Sequence, residues 1–166
     1  MADDSTSDER EATHQAIYGW LFVGVQAALL GILVFWSPQP TWTFPDWVDT
    51  AGFALGLLGL IWLLVGALNL GRSLTATPVP RSEGSLKTGG LYRLSRHPIY
   101  TGVLALAFSS AIRRANWMLV VVAVGLYVLF EFKARFEERL LTKAYPGYAH
   151  YAARVPRFVP VGRRLF

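Results

Sequence analysis

The sequence predicts an all-α integral membrane protein with four transmembrane helices, the last extending into the cytoplasm. Three observations carry this. The 166-residue chain is 53% hydrophobic and only 16% charged, more apolar than an ordinary soluble domain. Two segments, Ala16–Trp36 and about Val48–Leu70, contain no charge except Asp49, and each is long enough to cross a bilayer. Two further apolar runs, Pro98–Ile112 and Trp117–Phe130, follow as a closely joined pair.

Residues 1–15 read as a polar, acidic, disordered N-terminus, and residues 16–166 as one membrane domain. The flank of the first apolar segment (Asp3, Asp4, Asp8, Glu9, Glu11) is acidic where a signal peptide is basic, so the segment is expected to remain as a helix. Ser37–Trp47 is a loop whose Trp36, Trp42, Phe44 and Trp47 suit a headgroup belt. The second segment carries Gly52 and Gly56 at the spacing that lets helices approach closely in lipid, followed by Gly59 and Gly66.

Gly71–Arg96 is polar and rich in Gly and Pro, a long loop of the functional or disordered kind. The third apolar run is short, about 22 Å as helix against a roughly 30 Å hydrocarbon core. Pro98 suits its first position, where no amide partner is needed. Arg113, Arg114 and Asn116 form a tight turn, which forces an antiparallel hairpin with the fourth helix. No Gly or Pro interrupts that helix between Arg135 and Pro146, and its charges alternate in sign from Glu131 to Lys143, so it is expected to project into water. The loop carries Arg72, Arg81, Lys87, Arg93 and Arg96, and the tail carries eight Lys or Arg from Lys133 to Arg164, against Arg113 and Arg114 on the other side. The positive-inside rule then places the loop, the tail and the N-terminus in the cytoplasm. Attraction to anionic lipid, not to nucleic acid, accounts for the net charge of +5.

The chemistry is expected at GGLYRLSRHPIYTG, Gly89–Gly102. An imidazole and guanidinium groups at the mouth of a membrane helix are costly unless they bind something. The hairpin turns His97 toward Glu131–Glu138, so Tyr92, Arg96, His97 and Tyr100 meet Lys133, Glu137, Glu138 and the tail tyrosines Tyr145, Tyr148 and Tyr151. Taken singly, each has a plainer reading. His97 caps a helix, Arg93 and Arg96 anchor headgroups, Glu137 and Glu138 form a solvated face with Lys133 and Arg135, and the tyrosines form an interfacial belt. The chain has no cysteine, which excludes disulfides, thiolate catalysis and cysteine-bound zinc. It also lacks a strand-linked Gly-x-Gly-x-x-Gly, a Walker A sequence and HExxH, and His14, His97 and His150 have no metal-ligand spacing.

The string LKTGGLYRLSRHPIYTG, then FEERLL, then YPGYAHYAARVPRFVP resembles the isoprenylcysteine carboxyl methyltransferase family of integral-membrane methyltransferases, a group that includes phospholipid N-methyltransferases. The likeness covers roughly Leu70–Pro160, and the run at Leu70–Thr75 looks like bacterial members, implying a bacterial inner membrane. It implies S-adenosylmethionine bound on the cytoplasmic side, in a pocket formed by the loop before the third helix and the C-terminal segment. Carried over by position, the cofactor residues are Gly84, Ser85, Leu86, Lys87, Tyr92, His97, Pro98, Ile99, Tyr100 and Glu137. No catalytic residue is fixed; Lys133 and Arg96 are the candidates. Lys133 stands where eukaryotic members have arginine, and the Tyr-Pro-Gly-Tyr stretch is a residue short. Both departures bear on the acceptor, which is lipophilic or a small carboxylate, thiol or amine. The alternatives are an NADPH-dependent membrane reductase on a related scaffold and a non-catalytic membrane assembly factor.

Overall fold

The computed structural model describes residues 2–71 and 86–158. Five α-helices and one 3-10 turn make up the described chain: α1 (Ala2–Phe35), α2 (Asp46–Leu70), the 3-10 turn Gly90–Arg93, α3 (Pro98–Arg113), α4 (Trp117–Ala144) and α5 (Tyr148–Arg154). Among the described residues three helices are long and apolar enough to cross a membrane: Ala16–Phe35, Asp46–Leu70 and Trp117–Ala144. The third expected crossing, α3, is helical but has only 16 residues.

α1 begins at Ala2, so residues 2–15 of the acidic segment, expected to be disordered, are helical in the structure. Two features of the sequence favour this. Neither Gly nor Pro occurs before Gly19, and the acidic residues cluster where the positive end of the helix dipole lies.

α3 is the inner helix. Pro98, Gly102, Leu104, Ala107, Ser109 and Ala111 are all buried. Its packing on α2 is antiparallel and set by small residues. A Cβ on Gly66 would lie 3.3 Å from Pro98, one on Gly59 would lie 2.7 Å from the Ala105 Cβ, and one on Gly56 would lie 2.6 Å from the Ser109 Oγ. The expected close approach at the α2 glycines is therefore made, and its partner is α3. On its other side α3 meets α4 through Leu104, Ala107, Ala111, Leu119, Ala123, Leu126 and Phe130, with Leu33 of α1 joining the same core.

The α3–α4 turn is held by the loop after α1. Thr41 N donates to the Ala115 carbonyl at 2.7 Å, and Asn116 Nδ2 donates to the Gln39 carbonyl at 2.7 Å. Asn116 also caps α4, its Oδ1 accepting from Met118 N at 2.9 Å. α1 runs antiparallel to α4, with Phe22 beside Phe136, Gln26 on Lys133, and Arg114 on the Trp36 carbonyl. The outward faces carry large exposed side chains, among them Trp20 and Leu21 of α1, Leu64 and Leu68 of α2, and Val128 and Phe132 of α4. An apolar perimeter of this extent belongs against lipid.

α4 continues past Phe130 to Ala144, as its uninterrupted charged segment predicts. The helix therefore delivers Glu131–Glu138 to the end of the bundle where α3 begins.

Candidate functional site

The start of α3 is fixed by a strap from the C-terminal segment. Arg96 N donates to the Pro156 carbonyl at 2.9 Å and His97 N to the Arg157 carbonyl at 3.0 Å. Ser95, fully buried, donates from Oγ to the same Arg157 carbonyl at 3.0 Å, and Thr101 Oγ1 donates back to the His97 carbonyl at 3.1 Å. Pro98 has no amide to satisfy, and the Thr101 amide donates to the His97 carbonyl at 3.0 Å. One step upstream, Gly90 has φ +58°, and a Cβ there would lie 2.5 Å from Asn69 Nδ2. Only glycine fits, and this seats the 3-10 turn against the end of α2. Tyr151 of α5 clamps the turn, donating to the Tyr92 carbonyl at 2.6 Å. Burial pushes the Tyr151 phenol up to about 12, so it remains a donor.

Two adjacent carboxylates on α4 then receive different environments. Glu138 is buried and surrounded by cations. Arg157 meets it in a two-pronged geometry, Nε to Oε1 at 3.0 Å and Nη2 to Oε2 at 2.8 Å. Arg96 Nη2 stands 3.4 Å and His97 Nε2 3.1 Å from Oε1. Arg157 also reaches Glu131, which Arg135 holds at 2.9 Å. Glu131 and Glu138 are two helical turns apart on one face, so one guanidinium bridges both. The carboxylate hydrogen bonds, Glu138 first, hold the Arg157 guanidinium above its ordinary range.

Glu137, by contrast, keeps 28% of its side-chain surface exposed. Its partners are the Tyr100 hydroxyl, which donates to Oε2 at 3.0 Å, and His97 Nδ1 at 3.6 Å. The imidazole thus lies between the two carboxylates. Tyr100 is stacked between His97 (centroids 5.2 Å) and Phe130 (4.6 Å). Burial first, and the Glu137 charge second, push the Tyr92 phenol well above its usual range. Two buried polar atoms in this neighbourhood, Arg96 Nε and the Tyr148 hydroxyl, lack a hydrogen-bond partner. An orphan of this kind calls for a ligand or an ordered water.

Among the residues expected at the site, Tyr92, Arg96, His97, Tyr100 and Glu137 do come together. Pro98 and Ile99 pack on Gly66 of α2 instead, where they set the helix spacing. Lys133 is buried and turned to α1, its Nζ donating to Gln26 Oε1 at 2.7 Å and lying 5.3 Å from the Tyr100 ring centroid. Lys87 is exposed and Leu86 half-buried; Gly84 and Ser85 lie outside the described residues. Glu131, Gln26 and the Arg157 side chain have no part in the sequence-based expectation, and only the family resemblance, not the residue pattern, separates Glu137 from Glu138. Gln26 carried a signal, as the one amide in Ala16–Trp36. Arg157 carried only its place in Val155-Pro156-Arg157.

A helical membrane bundle whose inner hairpin gathers a charged and aromatic cluster at one end defines the class of protein. The sequence model of the phospholipid methyltransferase family matches residues 47–147, and the chain belongs to that family. It is 31% identical over 115 residues to the cobalt-zinc-cadmium resistance protein CzcN of Cupriavidus metallidurans, covering 69% of this chain and 51% of that protein. It is 30% identical over 118 residues to protein-S-isoprenylcysteine O-methyltransferase B of Arabidopsis thaliana (69% and 60% covered). It is 31% identical over 156 residues to methanethiol S-methyltransferase 2 of Bradyrhizobium diazoefficiens (84% and 58%). In fold it is similar to the eukaryotic intramembrane Ras methyltransferase ICMT, with a TM-score of 0.64 at 19% identity over 92% of this chain and 53% of that one. The chain thus spans between half and three-fifths of the length of these relatives.

Proposed function

We propose that the protein is a membrane methyltransferase that uses S-adenosylmethionine and acts on a lipophilic or small thiol, carboxylate or amine acceptor. One observation carries the reading: Glu137 keeps 28% of its side-chain surface exposed beside His97, while Arg96 Nε and the Tyr148 hydroxyl in the same cluster are buried without a partner. A zwitterionic amino acid group fits that arrangement, its ammonium toward Glu137 and its carboxylate toward Arg96 and Tyr148. The tyrosines offer π-faces to a cation. Bound there, the cofactor supplies a methyl group activated by a sulfonium.

The residues of the chain do the rest. Glu138, Arg157 and the backbone strap hold His97 and Arg96 in place, so orientation is prepaid before an acceptor arrives. Phe130 and Phe158 close the apolar side of His97 and Tyr100 and keep water away. A thiolate or carboxylate acceptor needs no base. An amine acceptor must lose a proton, and His97 or Glu137 is placed to take it.

The basic loop and tail support a cytoplasmic position for this end of the bundle, with α3 as a short fourth crossing and the start of α1 on the same side. Family membership supports methyl transfer over the reductase reading. The test is a radiolabelled-methyl assay in native membranes with the product identified by mass. A labelled product that depends on an intact Glu137 is expected. Absence of transfer to any lipid or small-molecule fraction, in membranes containing folded protein, overturns the reading.

A further inference from the structure

At the other end of α3, away from His97, an open pocket of about 360 Å³ is lined by Leu106, Ser109, Ser110, Arg113 and Arg114. We propose that this pocket is a phospholipid site, taking the phosphate of a lipid whose headgroup lies at the face opposite the charged cluster. The inference rests on the membrane setting and is independent of the methyltransferase reading.

The order of chemistry along the helix is the first argument. From the end of α3 inward the pocket offers two guanidiniums, then the Ser110 position, then a leucine side chain, over about 10 Å of helix rise. A phospholipid entering from that face presents phosphate, glycerol ester and acyl chain in the same order. The second argument is that both guanidiniums are held in place yet keep donors to spare. Arg113 gives Nε to Asp49 Oδ1 at 3.1 Å and lies over the Phe53 ring at 5.3 Å, and Arg114 gives Nη1 to the Trp36 carbonyl at 2.7 Å. Each of these hydrogen bonds uses one of the five N–H groups of a guanidinium. Ser109 donates to the Gly52 carbonyl at 2.7 Å, which ties this wall of the pocket to α2.

The third argument is length. With 16 residues α3 rises about 24 Å, some 6 Å less than a typical hydrocarbon core. If its start sits at the polar cluster, Arg113 and Arg114 end below the phosphate plane of an undisturbed leaflet. Drawing a headgroup down to them satisfies the charges and relieves the mismatch together.

The experiment is a native mass spectrometry titration of the purified full-length protein in detergent, with dioleoyl phosphatidylglycerol as ligand. Dioleoylglycerol and inorganic phosphate serve as comparison ligands. The Arg113→Gln/Arg114→Gln double variant and the Ser110→Leu variant are expected to bind the phospholipid about fivefold or more weakly, as charge-assisted hydrogen bonds or space are lost. Asp49→Asn removes the carboxylate that competes for Arg113 and is expected to tighten binding about two- to threefold. A folding defect does not produce that gain, so the variant decides the matter even if the double variant fails to fold. Equal phospholipid binding in wild type, Ser110→Leu and Asp49→Asn overturns the proposal. Dioleoylglycerol binding as tightly as the phospholipid also overturns it, reducing the pocket to an apolar groove. So does displacement of the lipid by millimolar inorganic phosphate, which marks a simple anion site.

Discussion

Adjacent residues on one helix, Glu137 and Glu138, carry opposite duties, because their side chains leave the helix about 100° apart. Glu138 points into the bundle and is matched by Arg157, Arg96 and His97. Its neighbour points to the edge, where a phenol and one ring nitrogen are its partners. Breaking a buried pair leaves uncompensated charge, so Glu138→Gln is expected to destabilise the protein by about 3 kcal/mol or more. A fall in thermal midpoint in detergent, together with loss of the α5 contact to limited proteolysis, checks it. Glu137→Gln is expected to melt close to wild type and to fail in ligand binding instead. The sequence pointed to the meeting of His97 with this stretch of α4, because a three-residue turn allows nothing but a hairpin. Which glutamate faces inward was not legible, since it depends on the rotation of α4 about its own axis. That rotation is set by packing at Leu119, Ala123, Leu126 and Phe130, and by an arginine nineteen positions beyond Glu138.

At the scale of the helices, the α2–α3 contact is built from missing side chains. A Cβ on Gly102 would sit 2.7 Å from the Gly59 carbonyl oxygen, a backbone atom that cannot move aside. Gly102→Ala is therefore expected to cost about 1–3 kcal/mol through overpacking, read as a lowered thermal midpoint. Gly24 of α1 is the contrasting case, with nothing within 4 Å of its added Cβ. There the same substitution is expected to be neutral or to stabilise by about 0.5–1 kcal/mol, through helix propensity alone. The glycine spacing in α2 was readable as a packing face, whereas its partner was not. α3 reads as an ordinary apolar run until its Gly, Ala and Ser positions are seen lying against α2. The start of α1 at Ala2 was missed for a related reason: polarity argued for disorder, while the lack of any helix breaker allowed the helix to continue.

The described chain is a helical membrane bundle with a charged and aromatic cluster at one end. Among the described residues three helices are long enough to cross, and the shorter α3 is packed between them. Because the chain has no cysteine, single substitutions report sidedness without background. Lys87→Cys at the charged end and Thr43→Cys in the loop at the other end, both at exposed positions, are expected to react with a membrane-impermeant thiol reagent from opposite sides of sealed membranes. Labelling of both from one side contradicts the arrangement. The expected orientation rests on the uneven distribution of basic residues between the loops, and this labelling tests it. The strap from residues 155–158 was not legible in the sequence, since backbone pairing between distant irregular segments leaves no periodic signature.

The account depends most on Glu137 as the partly exposed carboxylate of the charged cluster. Equilibrium binding of S-adenosylmethionine to the purified protein, followed by tryptophan fluorescence, tests this directly when wild type is compared with Glu137→Gln. Micromolar binding by wild type and a loss of about tenfold or more in the variant, about 1.4 kcal/mol, with an unchanged melting profile, is the expected result. Equal affinity in the two proteins, or no binding by folded wild type, contradicts it.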